Sequence, residues 1–289
     1  MIKLTIGNIN ITLHNIDKSL LPVNILKFCS FHRESDLNYY FTFVHNIYAK
    51  NDSNYRIIFA NKDLTIYKDC NEHEIRELYF PENHELYAIY QETSNRNINI
   101  TICTKRLQLF KFETIFVSTL SLEKQLYLHN SFIFHCSYLD FEGKAILFSG
   151  PSGIGKTTHT NLWCQYLPDR AKVLNGDKCL LSREGNTFYA NGWPICGSSG
   201  ICHNERREVR AVVLLQQAPE NRLIEEKKIL TFRRVLEQLT VNYWNREFTE
   251  AAMTFADSLV STLPCFTYGC NISREAVDIL YQQLITSNK

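Results

Sequence analysis

The run Gly150-Pro151-Ser152-Gly153-Ile154-Gly155-Lys156-Thr157 constrains this chain more than any other segment of it. It meets G-x-x-x-x-G-K-[ST] at every fixed position. It stands between an apolar, strand-like stretch, Ala145–Phe148, and a helix-compatible one, Thr157–Tyr166. The glycines let the backbone turn back so that its amides point inward at anionic oxygens. A helix starting there adds the positive end of its dipole. Lys156 supplies a point charge for the outer phosphates, and the Thr157 hydroxyl is a magnesium ligand by type. The expected contacts of a bound nucleotide are Ser152, Gly153, Ile154, Gly155, Lys156, Thr157 and Thr158, with ATP and Mg²⁺ as the expected cofactors.

The flanks add two polar residues to this unit. Ala171-Lys172-Val173-Leu174-Asn175-Gly176-Asp177 reads as an apolar strand that ends in a carboxylate, about twenty residues past the loop. Asp177 is either a turn residue after Gly176 or a second magnesium contact and base. His135 lies in Phe132–Leu139, a strand joined to the one before the loop by a short turn at Gly143. It is either a satisfied, buried imidazole or a partner that orients a carboxylate base.

The remainder reads as scaffold. Residues 1–111 hold short β-like runs at Leu4–Leu13, Tyr39–Tyr48, Arg56–Ala60, Leu64–Tyr67 and Ile98–Cys103. Turn residues separate them at Asn51–Asn54, Asn61–Asp63 and Pro81–Asn83. Phe112–His129 has helical spacing and opens a second lobe, 112–289. Beyond the loop the pattern predicts a hairpin over 180–190, a small-residue loop over 192–200 and an apolar strand over 209–215. Helices follow near 230–247, 249–263 and 273–285, with Phe248, Ala252, Phe255, Ala256 and Leu259 as a packing stripe. Arg206, Arg207 and Arg210 crowd one strand start, as a solvated edge or as phosphate contacts. The fold class expected is α/β: a mainly β N-terminal lobe, then a P-loop core of mixed sheet flanked by helices.

Composition narrows the partners. Lys plus Arg (31) balances Asp plus Glu (30), which argues against a global attraction to nucleic acid or an anionic membrane. No run approaches the ~18 apolar residues of a membrane span, and Met1–Leu20 lacks the apolar core of a signal peptide. A cytoplasmic location is the expectation, with a homo-oligomer open. The ten cysteines include no Cys-x-x-Cys pair, and Cys196, Cys202 and His203 have no matching second half, so reduced thiols are expected in place of a zinc site.

Phe134-His135-Cys136-Ser137, Glu142–Gly153 and Asn175-Gly176-Asp177-Lys178 together resemble the HPr kinase/phosphorylase and ATP-dependent phosphoenolpyruvate carboxykinase superfamily. The resemblance is greater to the HPr kinase-related proteins of peptide-modification gene clusters. It spans about 112–289, with its specific motifs in 134–178. What the resemblance implies is a kinase core in which Lys156 and Thr157 handle phosphate and Mg²⁺, His135 supports the base, and Asp177 matches the second of two adjacent aspartates. Gly176 stands where the first would be, so Glu205 and Glu208 are candidates to help. The motifs of a carboxykinase proper are missing, and the N-terminal lobe does not match enzymes that act on HPr. The expected activity is phosphoryl transfer from ATP to a hydroxyl, of Ser or Thr in a peptide or protein, or of a small alcohol. The alternative is a nucleotide-binding accessory protein that transfers nothing.

Overall fold

The structure, a computed structural model, describes residues 1–50 and 54–286, so the turn expected at Asn51–Ser53 lies outside the described residues. The chain divides into two compact units, Met1–Gln125 and Leu126–Lys289. The sequence reading sets its boundary near 111; here the helical stretch after Phe112 is grouped largely with the first unit.

Among the described residues, the first unit contains one eight-stranded sheet. Its strands are β1 (Ile2–Ile6), β2 (Ile9–His14), β3 (Leu37–Val44), β4 (Arg56–Ala60), β5 (Leu64–Lys68), β6 (Glu74–Phe80), β7 (Glu85–Glu92) and β8 (Asn97–Cys103). They lie in the order β1-β2-β3-β8-β7-β6-β5-β4, with β3 parallel to both its neighbours. The stretch Leu4–Leu13 is a hairpin and not one run, because Gly7 takes φ +60° and the chain reverses to pair Ile6 with Ile9. Strands β6 and β7 were not expected. β6 begins Glu-Ile-Arg-Glu, and all three of its charged residues, Glu74, Arg76 and Glu77, are buried. Short helices are α1 (Val23–Leu26), α2 (Glu113–Leu120) and α3 (Leu122–Tyr127). The last two replace one expected helix, which breaks at Ser121 with φ +49°.

The second unit is built on β9 (Ser131–Phe141), β10 (Lys144–Ser149), β11 (Ala171–Asn175), β12 (Lys178–Glu184), β13 (Thr187–Asn191), β14 (Arg206–Gln217), β15 (Arg222–Ile224) and β16 (Cys265–Cys270). Its helices are α4 (Lys156–Tyr166), α5 (Lys228–Leu236), α6 (Arg246–Thr262) and α7 (Arg274–Thr286). The sheet runs β10-β9-β12-β13-β14-β16-β15, and β10 also pairs in parallel with β14, so five strands close a ring of pairings. Side chains alternate along β10 and so serve two cores. Ala145 and Leu147 join the cluster that includes Val235 of α5 and the α6 stripe Phe248, Ala252, Phe255, Ala256 and Leu259. Ile146 and Phe148 join the opposite cluster, with Leu162 and Trp163 of α4 and Val277, Leu280 and Leu284 of α7. The α6 stripe is therefore packing, as its spacing implies. The helix expected over 230–247 ends at Leu236, and β15 and β16 are additions. No described helix is long and apolar enough to cross a membrane.

Candidate nucleotide site

The turn Glu142-Gly143, with φ of +54° and +80°, closes the hairpin of β9 and β10 and pairs Ser149 with Cys136. Paired positive φ values at two central residues match the twist of such a hairpin. β10 then runs into the loop, where Gly150, Gly153 and Gly155 take φ of +144°, +79° and +108°. A Cβ at Gly153 or Gly155 would meet nothing within 4 Å. Their role is conformational, since side chains are disfavoured there by backbone strain and not by crowding.

Lys156 opens α4 and is buried. Its Nζ donates to the carbonyls of Gly150 (2.9 Å) and Pro151 (3.2 Å), folding the side chain across the loop it closes. Burial lowers its pKa, opposed by the nearby Asp177 charge and by Cys136. An anion in the loop offsets that cost of charge burial. Thr157 and Thr158 are exposed on the first turn of α4. Ser137 Oγ lies 3.0 Å from Thr160 Oγ1, tying the helix to β9.

Asp177 is not at a strand tip. β11 and β12 run end to end along the same side of β9, and Asp177 falls between them, its carbonyl accepting from Cys136 N at 3.0 Å. Asn175 makes this break. It is fully buried, its Oδ1 accepts from the amides of Asp177 (2.9 Å) and Lys178 (3.0 Å), and its Nδ2 donates to the carbonyls of Trp193 and Ile195. Sequence reasoning missed Asn175, although Asn-Gly is itself a turn signal.

The register Lys178↔His135 brings His135 Nε2 to 3.5 Å from Asp177 Oδ1. On the far side of the ring, Nδ1 lies 3.0 Å from Gln238 Oε1. With that oxygen as acceptor Nδ1 carries a proton, and Nε2 then donates to Asp177 only as an imidazolium. Turning the Gln238 amide over lets the neutral ring do so. The hydrogen bond from His135 lowers the Asp177 pKa; burial opposes it, and the Lys178 and Lys156 charges add to the lowering. Asp177 is thus an ionised carboxylate at neutral pH, facing Lys156.

The other carboxylates expected to help lie elsewhere. Glu208 pairs with Lys144 at the start of β10, five strand residues before Ser149, or about 17 Å at ~3.3 Å per residue. Glu205 is engaged by Lys172 (2.9 Å) and Arg207 (2.5 Å). Arg206 pairs with Glu184, Arg207 also with Asp140, and Arg210 faces Glu142, so this basic cluster is neutralised at the same edge. At Gly176 a missing side chain is a packing requirement: a Cβ would stand 2.2 Å from Ser199 Oγ. Among the described residues, no group of three or more His, Cys, Asp or Glu side chains is disposed to hold a metal ion. A cavity of about 700 Å³ opens beside the loop, floored by Gly153, Gly155 and Thr158.

No family model matches the chain, and no curated protein matches it. Among solved structures, the HPr(Ser) kinase/phosphatase from Coxiella burnetii is similar over 54% of this chain and 95% of its own, at 12% identity and a TM-score of 0.31. The likeness is distant.

Proposed function

We propose that the second unit is an ATP-dependent phosphotransferase acting on a hydroxyl, of Ser or Thr in a peptide or protein, or of a small alcohol. The observation that carries this reading is the convergence of Lys156, held across the glycine loop, with an ionised Asp177 backed by His135. In phosphoryl transfer the protein mainly positions groups and neutralises charge. Lys156 meets the phosphate oxygens as a point charge. Thr157, exposed at the first turn of α4, and Asp177, held anionic, are the donors that fit Mg²⁺, whose charge offsets that of the phosphates. The acceptor oxygen bonds to the γ-phosphorus, the bond to the β-phosphate oxygen breaks, and ADP leaves. Asp177 receives the hydroxyl proton. Its lowered pKa makes it a weak base, suited to a step in which that proton moves late, and His135 acts as the positioning residue.

The test is mass spectrometry of a peptide, protein and alcohol pool incubated with ATP and Mg²⁺. A gain of about 80 Da, abolished in both Lys156→Ala and Asp177→Asn, is the expected result for a transferred phosphoryl group. Gly176 favours one competing reading, a nucleotide-binding accessory protein, because the site holds a single carboxylate and Ser199 fills the space beside it. ATP binding that depends on Lys156, with no acceptor gaining mass, decides for that reading.

A further inference from the structure

The cavity beside the loop has a chemistry that the phosphate contacts leave unused. Its walls include Ile154 from the loop, Leu162 from α4 and Leu215 at the end of β14. The far side is the paired turn after β14 and β16, where Ala218 N donates to the Cys270 carbonyl (3.1 Å). A slot of apolar side chains abutting a phosphate cradle suits a flat aromatic ring carried on those phosphates.

Two buried polar atoms in residues lining this cavity have no hydrogen-bond partner among the described residues: His159 Nε2 and Asn271 Oδ1. His159 is 3% exposed and its ring lies against Phe148 and Tyr268, so it cannot turn out to water. Burial lowers its pKa to about 4, which keeps the ring neutral and able to donate one N–H. Asn271 is held from both ends. Its Nδ2 donates to the Pro219 carbonyl (2.8 Å) and its backbone N to Asn221 Oδ1 (2.9 Å). Asn221 is itself anchored by Ser273 (3.2 Å) and Glu275 (2.7 Å). With its donor end spent, Asn271 offers an acceptor.

We propose that this cavity is the nucleobase subsite and that it selects adenine, Asn271 Oδ1 accepting from the exocyclic amino group and His159 Nε2 donating to a ring nitrogen. The proposal rests on the nucleotide reading above and deepens it. A buried group left unpaired costs about 1–3 kcal/mol, so unpartnered atoms in a built cavity point to a ligand that pairs them. One open acceptor and one open donor match the adenine edge, which presents one amino group beside one ring acceptor. Guanine presents a carbonyl, a ring N–H and an amino group along the same edge, so at least one of them is left unpaired against apolar walls. Hypoxanthine lacks the amino group altogether.

The deciding experiment is calorimetric titration of the full chain with ATP, GTP, ITP and inorganic tripolyphosphate. Wild type, Lys156→Ala, Asn271→Leu and His159→Phe are compared, with circular dichroism confirming that each variant is folded. The expected result is ATP binding roughly five- to tenfold tighter than ITP or GTP, the worth of a buried hydrogen bond. Asn271→Leu, on a half-buried turn, erases that preference while tripolyphosphate affinity stays within about twofold. His159→Phe, which keeps the ring packing, weakens ATP and leaves tripolyphosphate alone. Equal affinity for ATP, GTP and ITP in the wild type, or a preference that survives Asn271→Leu, overturns the proposal. Tripolyphosphate binding lost in Lys156→Ala then still upholds the phosphate loop. Conversely, an adenine preference carried by Asn271 in a protein that phosphorylates nothing leaves the subsite standing and removes the transferase.

Discussion

At Gly176 an added Cβ would stand 2.2 Å from Ser199 Oγ and 2.4 Å from Ser199 Cβ, distances that real contacts do not reach. Ser199 cannot yield easily, because its hydroxyl donates to the Cys196 carbonyl (2.7 Å) and accepts from Ile201 N (3.2 Å). The same short loop presses on the catalytic carboxylate, since a Cβ at Gly197 would lie 3.0 Å from Asp177 Cγ. The missing first aspartate is therefore tied to the loop 196–200 and is no isolated loss. Gly176→Asp is expected to cost about 1–3 kcal/mol through overpacking, and Ser199→Gly in the same chain to recover most of it, read by urea unfolding and a double-mutant cycle. Wild-type stability for Gly176→Asp alone would show that the loop moves aside freely and remove the argument.

Among the elements, β6 departs furthest from the pattern of a sheet strand. Glu74 and Arg76 are buried side by side, Arg76 reaches Glu123, and Lys124 binds Glu92 at 2.7 Å. Glu92 also accepts from Tyr90 (2.9 Å) and Gln125 (3.2 Å). The network fastens β6 and β7 to the residues after Ser121. Removing one member leaves a buried charge unpaired, so Arg76→Met should destabilise by about 3–5 kcal/mol in chemical denaturation. Burial works to raise the Glu74 pKa, but the Arg76 and Lys124 charges outweigh it and hold the pKa below its ordinary value. Its stabilising contribution is accordingly present above the unfolded-state pKa and is lost as pH falls through the lower folded value. A variant Arg76→Met that unfolds like wild type would reduce the network to decoration.

For the molecule as a whole, the three tryptophans, Trp163, Trp193 and Trp244, all belong to the second unit. Indole fluorescence therefore follows the unit that carries the phosphate loop, while the sheet of Met1–Gln125 is silent to it. A ligand that binds only the folded form stabilises it by mass action. ATP with Mg²⁺ at about a hundred times its dissociation constant should raise the stability read by tryptophan by about 2.7 kcal/mol. The shift should vanish in Lys156→Ala. A tryptophan transition indifferent to ATP in the wild type would count against nucleotide binding at this loop.

What the sequence determined by itself was local. The strand–loop–helix around Gly150–Thr157, the Glu142-Gly143 turn and the α6 stripe were legible because side-chain period, turn chemistry and glycine freedom act over a few residues. Residues 74–80 were not, since buried charge reads as a solvated surface until its partners, 47 residues away for Arg76 and Glu123, are known. The tertiary structure alone decided what meets at the site. Gln238 reaches His135 across 103 residues, and Asp177 faces His135 because β12 pairs with β9 in one register, where a slip of one residue would turn the side chains to opposite faces. The cavity beside the loop is joined from segments that only the pairing of β14 with β16 brings together. A strand's own residues set which of its faces is apolar; which strand lies beside it depends on the packing of the whole sheet.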